Sequence, residues 1–117
     1  MTPKRGERVA PPPAPGEYDL LFGTSEAAKS WIDLCAQAPG NALEAWRLLR
    51  TDPAPRAHTT RHHPLKGPLS ASSYQGVVLP RWQYEVTAGG RIWYLVDVER
   101  RRVFLMFAGT GHPKATE

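Results

Sequence analysis

Apolar residues recur along this chain at two different periods, and the change of period divides it. Trp31, Leu34, Cys35 and Ala38 fall at i, i+3, i+4 and i+7, the spacing of one helix face. Thr24-Ser25 followed by Glu26 supplies a cap and a first-turn acid at its start, and Pro39-Gly40 marks its end. A second helix follows at once. Asn41 with Glu44 resembles a capping box, and Leu43, Trp46 and Leu49 line one face up to Asp52-Pro53. The two-residue break predicts an antiparallel helix hairpin. Ahead of it, EYDLLFG at 17 to 23 reads as a short strand.

Past the helices the period falls to two. Trp82, Tyr84 and Val86 alternate with Gln83, Glu85 and Thr87 in a strand over 76 to 87, and further strands are predicted over 91 to 98 and 102 to 108. Ala88-Gly89-Gly90 and the charged run ERRR at 99 to 102 are the turns of a meander. Residues 52 to 73, rich in Pro, His, Ser and Thr, lack either period and read as a long loop, the kind of segment that often carries function. The order β-α-α-β-β-β predicts the α+β class, with the helix hairpin packed on one face of a twisted antiparallel sheet through Trp31, Leu34, Trp46 and Leu49.

Residues 1 to 16, MTPKRGERVAPPPAPG, are proline-rich and show no apolar period. They are expected to form a disordered or extended arm, leaving 17 to 117 as one domain. No apolar run approaches the roughly 20 residues of a membrane span, and the basic start leads into prolines, so a soluble chain without a signal peptide is expected. Cys35 is the single cysteine and cannot form an internal disulfide, which fits a reducing cytoplasm, and it reads as a small buried apolar residue. From Arg47 onward eleven Lys and Arg face five Asp and Glu, an excess of six positive charges that favours a polyanionic partner.

Titratable and cationic groups concentrate in RHHPLKGPL, residues 61 to 69, where no acid accompanies them. GTGHPK at 109 to 114 lacks the full spacing of a phosphate-binding glycine loop and has no helix after it. His58, His62, His63 and His112 come without a cysteine pair or an HExxH helix, so neither metal nor cofactor is expected. Taken singly, Arg91 and Lys66 read as solvated edge and loop charges, and Trp82, Tyr84, Trp93 and Tyr94 as core and cross-strand pairs.

Together, HPLKGPL, WQYEVTAGGRIWYLVD and VFLMFAGTGHP resemble the RelE/ParE superfamily of bacterial toxins, in element order over about residues 18 to 114. The likeness is carried mainly by PLKG, RIWYLVD and GTGHP, and it implies the same β-α-α-β-β-β fold. Within the superfamily the loop is most similar to the YoeB-like RelE branch of ribosome-dependent mRNA endoribonucleases. There an acid three residues before the lysine of the loop is the general base, and His63 stands at that position. The resemblance further implies Arg91 as phosphate clamp and His112 as the C-terminal histidine, although the tyrosine usually following it is Pro113 here. Lys66, Arg61 and His62 would contact RNA phosphates. An acidic antitoxin protein binding the basic surface, in a hetero-oligomer, and mRNA on the ribosome are the implied partners. The superfamily also contains gyrase inhibitors of the ParE type, and a toxin fold reduced to a binding module is a third possibility.

Overall fold

Thr24 starts the first helix by the mechanism its sequence position suggests. In a computed structural model describing residues 3 to 9 and 11 to 109, its Oγ1 accepts from the Ala27 N–H at 2.9 Å and donates to the Met106 carbonyl at 3.1 Å. The hydroxyl thereby caps α1 (Ser25–Gln37) and ties it to the last strand. The second helix, α2 (Pro39–Thr51), begins one residue after α1 is capped, with proline in its first turn where a missing N–H costs nothing. The predicted capping box does not form. Asn41 lies inside the helix and its Nδ2 donates to the Val86 carbonyl at 3.0 Å, so it bridges helix to sheet instead.

Small residues decide how the hairpin meets the sheet. Ala27, Ala28, Trp31 and Leu34 of α1 and Ala42, Ala45 and Leu49 of α2 are buried, whereas Leu43 is 46% exposed and Trp46 half-buried. The stripe expected through Leu43 is therefore displaced by one position. On α2 the buried line runs through Ala42, Ala45 and Leu49, and the larger Leu43 and Trp46 flank it. Trp31, Leu34 and Leu49 pack as expected, and Cys35 is only partly buried at the margin.

The strands are β1 (Asp19–Phe22), β2 (His62–Pro64), β3 (Ala71–Tyr74), β4 (Val77–Glu85), β5 (Arg91–Asp97) and β6 (Arg102–Gly109), giving an α+β architecture. They form an open, mostly antiparallel sheet in the order β1-β6-β5-β4-β2, with β3 also on β4. The predicted meander appears as β4, β5 and β6. Two expectations change. The stretch 52 to 73 contains β2, a single 3-10 turn at Gly67–Leu69 and β3, because short polar strands can complete an edge without showing an apolar period. And β1 runs parallel to β6, Leu20 opposite Val103, a direction that no hairpin turn in the sequence specifies. Gly23 extends that join, its N–H donating to the Leu105 carbonyl at 2.8 Å, and a Cβ there would displace the Met106 side chain and crowd the carbonyl. Gln75 and Gly76, both at positive φ (51° and 82°), form the two-residue turn joining β3 to β4.

The N-terminal arm does not stand clear of the domain. Arg8 bridges Leu21 on the outer edge of β1, Val9 is 3% exposed, and Arg50 donates to the carbonyls of Pro11 and Pro12 at 2.7 and 2.8 Å. The same guanidinium, stacked on Trp46, reaches Glu17 at 2.7 Å. Among the described residues no helix is long and apolar enough to cross a membrane.

Candidate functional site

Alternation sorts the sheet into two faces. Trp82, Tyr84, Ile92, Tyr94 and Val96 meet the helices, and Gln83, Glu85, Arg91, Trp93 and Leu95 point the other way. Register then aligns the second set in rows. His63 lies opposite Gln83, which lies opposite Trp93; Glu85 lies opposite Arg91, which lies opposite Gly109; Arg81 lies opposite Leu95. Tyr74, at the end of the β3–β4 hairpin, packs on Phe104 over the far end of this face and closes a small second core. Among the described residues no helix lies over the end carrying the histidine and arginines.

His63 is half-buried and lines a cleft of about 650 Å³ with His58, Thr59, Thr60, Pro64 and Lys66. Its Nδ1 is 3.0 Å from the Pro64 carbonyl. A carbonyl can only accept, so Nδ1 carries the proton and the neutral ring keeps its lone pair on Nε2. His63 thus has the tautomer of a base whose free nitrogen is Nε2. Lys66 is exposed on the same cleft, on the loop running from Leu65 to Ser70.

Arg91 does not line the cleft. It shares the face of His63 but stands two strands away, held by the Gly90 carbonyl at 3.1 Å and by Glu85 Oε1 at 3.4 Å. Glu85 also faces Arg61, whose Nε is 4.0 Å from Oε2 and whose guanidinium lies over the Tyr84 ring. One carboxylate between two arginines leaves this group with a net positive charge. His112 lies outside the described residues.

His62 departs most from its expected role. It is 7% exposed and turned to the helix side, with its ring edge-on to Trp82 and Tyr84, so it is not presented to a phosphate. The Tyr94 hydroxyl donates its only proton to the Pro53 carbonyl at 2.7 Å, so it must accept from His62 Nε2. Burial pushes the His62 pKa down, partly countered by the Pro53 carbonyl and Asp52 and reinforced by His63 and His58. Burial likewise drives the Tyr94 hydroxyl far above its ordinary value, with Asp52 and Tyr84 adding to it, so it stays protonated. A histidine whose folded pKa is depressed binds fewer protons folded than unfolded near neutrality. Its stabilising contribution is complete above the unfolded value of about 6.5 and is lost as pH falls through that value toward the folded pKa. The melting temperature should therefore decline between about pH 7.5 and about pH 5.5, and His62→Gln should flatten that decline. An equal slope in both proteins would remove His62 as its source.

Sequence reasoning passed over Glu85, Gln83, Trp93 and Arg81 as site residues. The alternation around Trp82 already assigned Gln83 and Glu85 to the face away from the core, but the strand register that joins them to Arg91 and His63 was not legible. Among the described residues no cluster of metal-ligating side chains occurs. No protein-family model, curated protein or solved structure matches the chain.

Proposed function

We propose that this chain is a RelE-like toxin, an endoribonuclease that cleaves mRNA on the ribosome through the RNA's own 2′-hydroxyl and is neutralised by an acidic antitoxin. The observation that carries the reading is the Pro64 carbonyl fixing the tautomer of His63, in a cleft shared with Lys66. His63 Nε2 removes the 2′-OH proton, and the 2′-oxygen forms a bond to phosphorus. The bond from phosphorus to the 5′-oxygen breaks, leaving a 2′,3′-cyclic phosphate. His112, three residues beyond the Gly109 that pairs with Arg91, protonates the departing oxygen. Arg91 and Lys66 offset the charge gathering on the phosphorane. The α+β fold with a helix hairpin on one sheet face supports the superfamily resemblance, and the basic excess would draw in an acidic partner.

The Glu85 carboxylate beside Arg91 favours a second reading, a non-catalytic ParE-like face that binds gyrase. Induced expression in bacteria with mapping of mRNA 5′ ends separates the two. Cuts that depend on translation, reduced by roughly 10² to 10⁴ in His63→Ala, are the expected result. DNA damage without such cuts would replace the nuclease reading with the gyrase one.

A further inference from the structure

Arg81 is a cation without a counter-ion in the middle of this face. Among the described residues its guanidinium has no carboxylate partner, and its Nε is buried without a hydrogen bond. The guanidinium lies over the Trp93 ring, 5.6 Å from its centre, and the Trp93 Nε1 donates to Gln83 Oε1 at 2.8 Å. Since Gln83 and Trp93 form the row of His63, the Arg81 side chain leans from its own row into that of the proposed base. On β4 the three rows are evenly stepped. Gln83 is two residues, or about 7 Å, from Arg81 on one side and from Glu85, the partner of Arg91, on the other.

The backbone of Arg81 is as well placed as its side chain. Its N–H donates to the Ser70 carbonyl at 3.0 Å and its carbonyl accepts from the Leu65 N–H at 2.9 Å. Both ends of the loop carrying Lys66 are therefore anchored on this one residue. Arg81 lies by register diagonal to His63 across a single strand pair, nearer than Arg91. A guanidinium that has surrendered part of its hydration to an aromatic face, with no carboxylate in return, is poised for an anion with planar, paired acceptors.

We infer that Arg81 is a further RNA-phosphate contact of this site, holding the backbone on the side of His63 away from Arg91. The inference rests on the RNA-cleaving reading and extends it. The strand of RNA would run along β4, with the scissile phosphate between His63 and Arg91 and the next phosphate held by Arg81. Trp93 serves as the floor that stiffens Arg81 and leaves its outer donors free.

The test is fluorescence anisotropy of the full chain with a labelled single-stranded 2′-O-methyl RNA hexamer, which cannot be cleaved, over a series of NaCl concentrations. Arg81→Gln keeps the stem over Trp93 and removes the charge. It should weaken binding roughly threefold to tenfold and make the slope of log K against log salt shallower by about 0.7, the worth of one phosphate on a single strand. Arg81→Lys should keep the slope, and Arg47→Gln on the helix side should match the parent protein. A loss of affinity with an unchanged slope would assign Arg81 to packing and overturn the inference. So would parental binding by Arg81→Gln alongside a loss in Arg91→Gln, a result that leaves the proposed function standing. If the parent protein shows no salt-dependent RNA binding, the RNA-cleaving reading fails first and the inference falls with it.

Discussion

Arg91→Ala is expected to abolish mRNA cleavage and growth arrest in a protein that still folds. The arginine opens β5 on the helix-free face, and its fixed charge and planar donors can follow the equatorial oxygens of a phosphorane, which a histidine exchanging protons cannot do. Loss of one such preorganised donor costs about 10² to 10³ in rate, and an arginine acting on a transferring phosphoryl group up to about 10⁵. The change also leaves Glu85, now paired with Arg91 at 3.4 Å, with only the more distant Arg61 beside it at 4.0 Å, so its carboxylate would oppose the substrate's phosphate. Stability should fall by about 1 kcal/mol, because the partly buried Glu85 keeps Arg61 as a second cation when Arg91 is removed. Circular dichroism and mRNA end mapping on the same preparation check both halves. Arg91→Lys, which keeps the charge and loses the fork, should recover only part of the activity. A toxic, cleavage-competent Arg91→Ala protein would remove Arg91 from the proposed mechanism.

Tyr94→Phe is expected to destabilise the fold by roughly 2 kcal/mol, since it strands two buried polar groups at once. The hydroxyl joins His62 on β2 to the Pro53 carbonyl just after α2, and thereby closes the connection from the helices to the loop that carries His63. With the oxygen gone, the His62 N–H and the Pro53 carbonyl must find each other or remain unpaired in an apolar setting. For a domain of this size the melting temperature should drop by on the order of 10 °C, measured above about pH 7.5 so that His62 is neutral in folded and unfolded chains alike. Cleavage should fall further than folding alone explains, because the strand presenting His63 loses its inner anchor. An unchanged melting temperature would show that the network contributes nothing net, leaving hydrophobic packing around the Tyr94 ring as the residue's whole role.

The helices and the three long strands were legible because each repeats its own period over enough residues to be read locally. Thr24 as cap, the glycines of the β4–β5 turn and the inward set Trp82, Tyr84 and Val86 all follow from neighbours a few residues away. His63 and Lys66 were legible as chemistry for the same reason, being three residues apart in one loop. Other features resisted because their causes are remote in sequence. Asn41 looked like a cap until its bond to Val86, forty-five residues on, took it elsewhere. His62 and His63 are adjacent and chemically identical, and only the pairing of β2 with β4 sends one to Tyr94 and the other to the open face.

What the sequence by itself determined, then, is the inventory: a helix hairpin, a three-strand meander, an excess of positive charge and a loop dense in histidine and lysine. Those are local matters of backbone propensity, apolar period and ionisation. Tertiary structure alone decided the rest. It decided the parallel docking of β1 on β6, the arm tied down by Arg50, the burial that lowers the pKa of His62, and the rows that bring Arg81, Gln83 and Glu85 onto the face of His63 and Arg91. A strand's alternation fixes which residues share a face but leaves its register open, and one residue of slip would exchange the two faces. Register here is chosen by the fit of the whole apolar face of the sheet beneath two helices, a condition that no single segment of the chain contains.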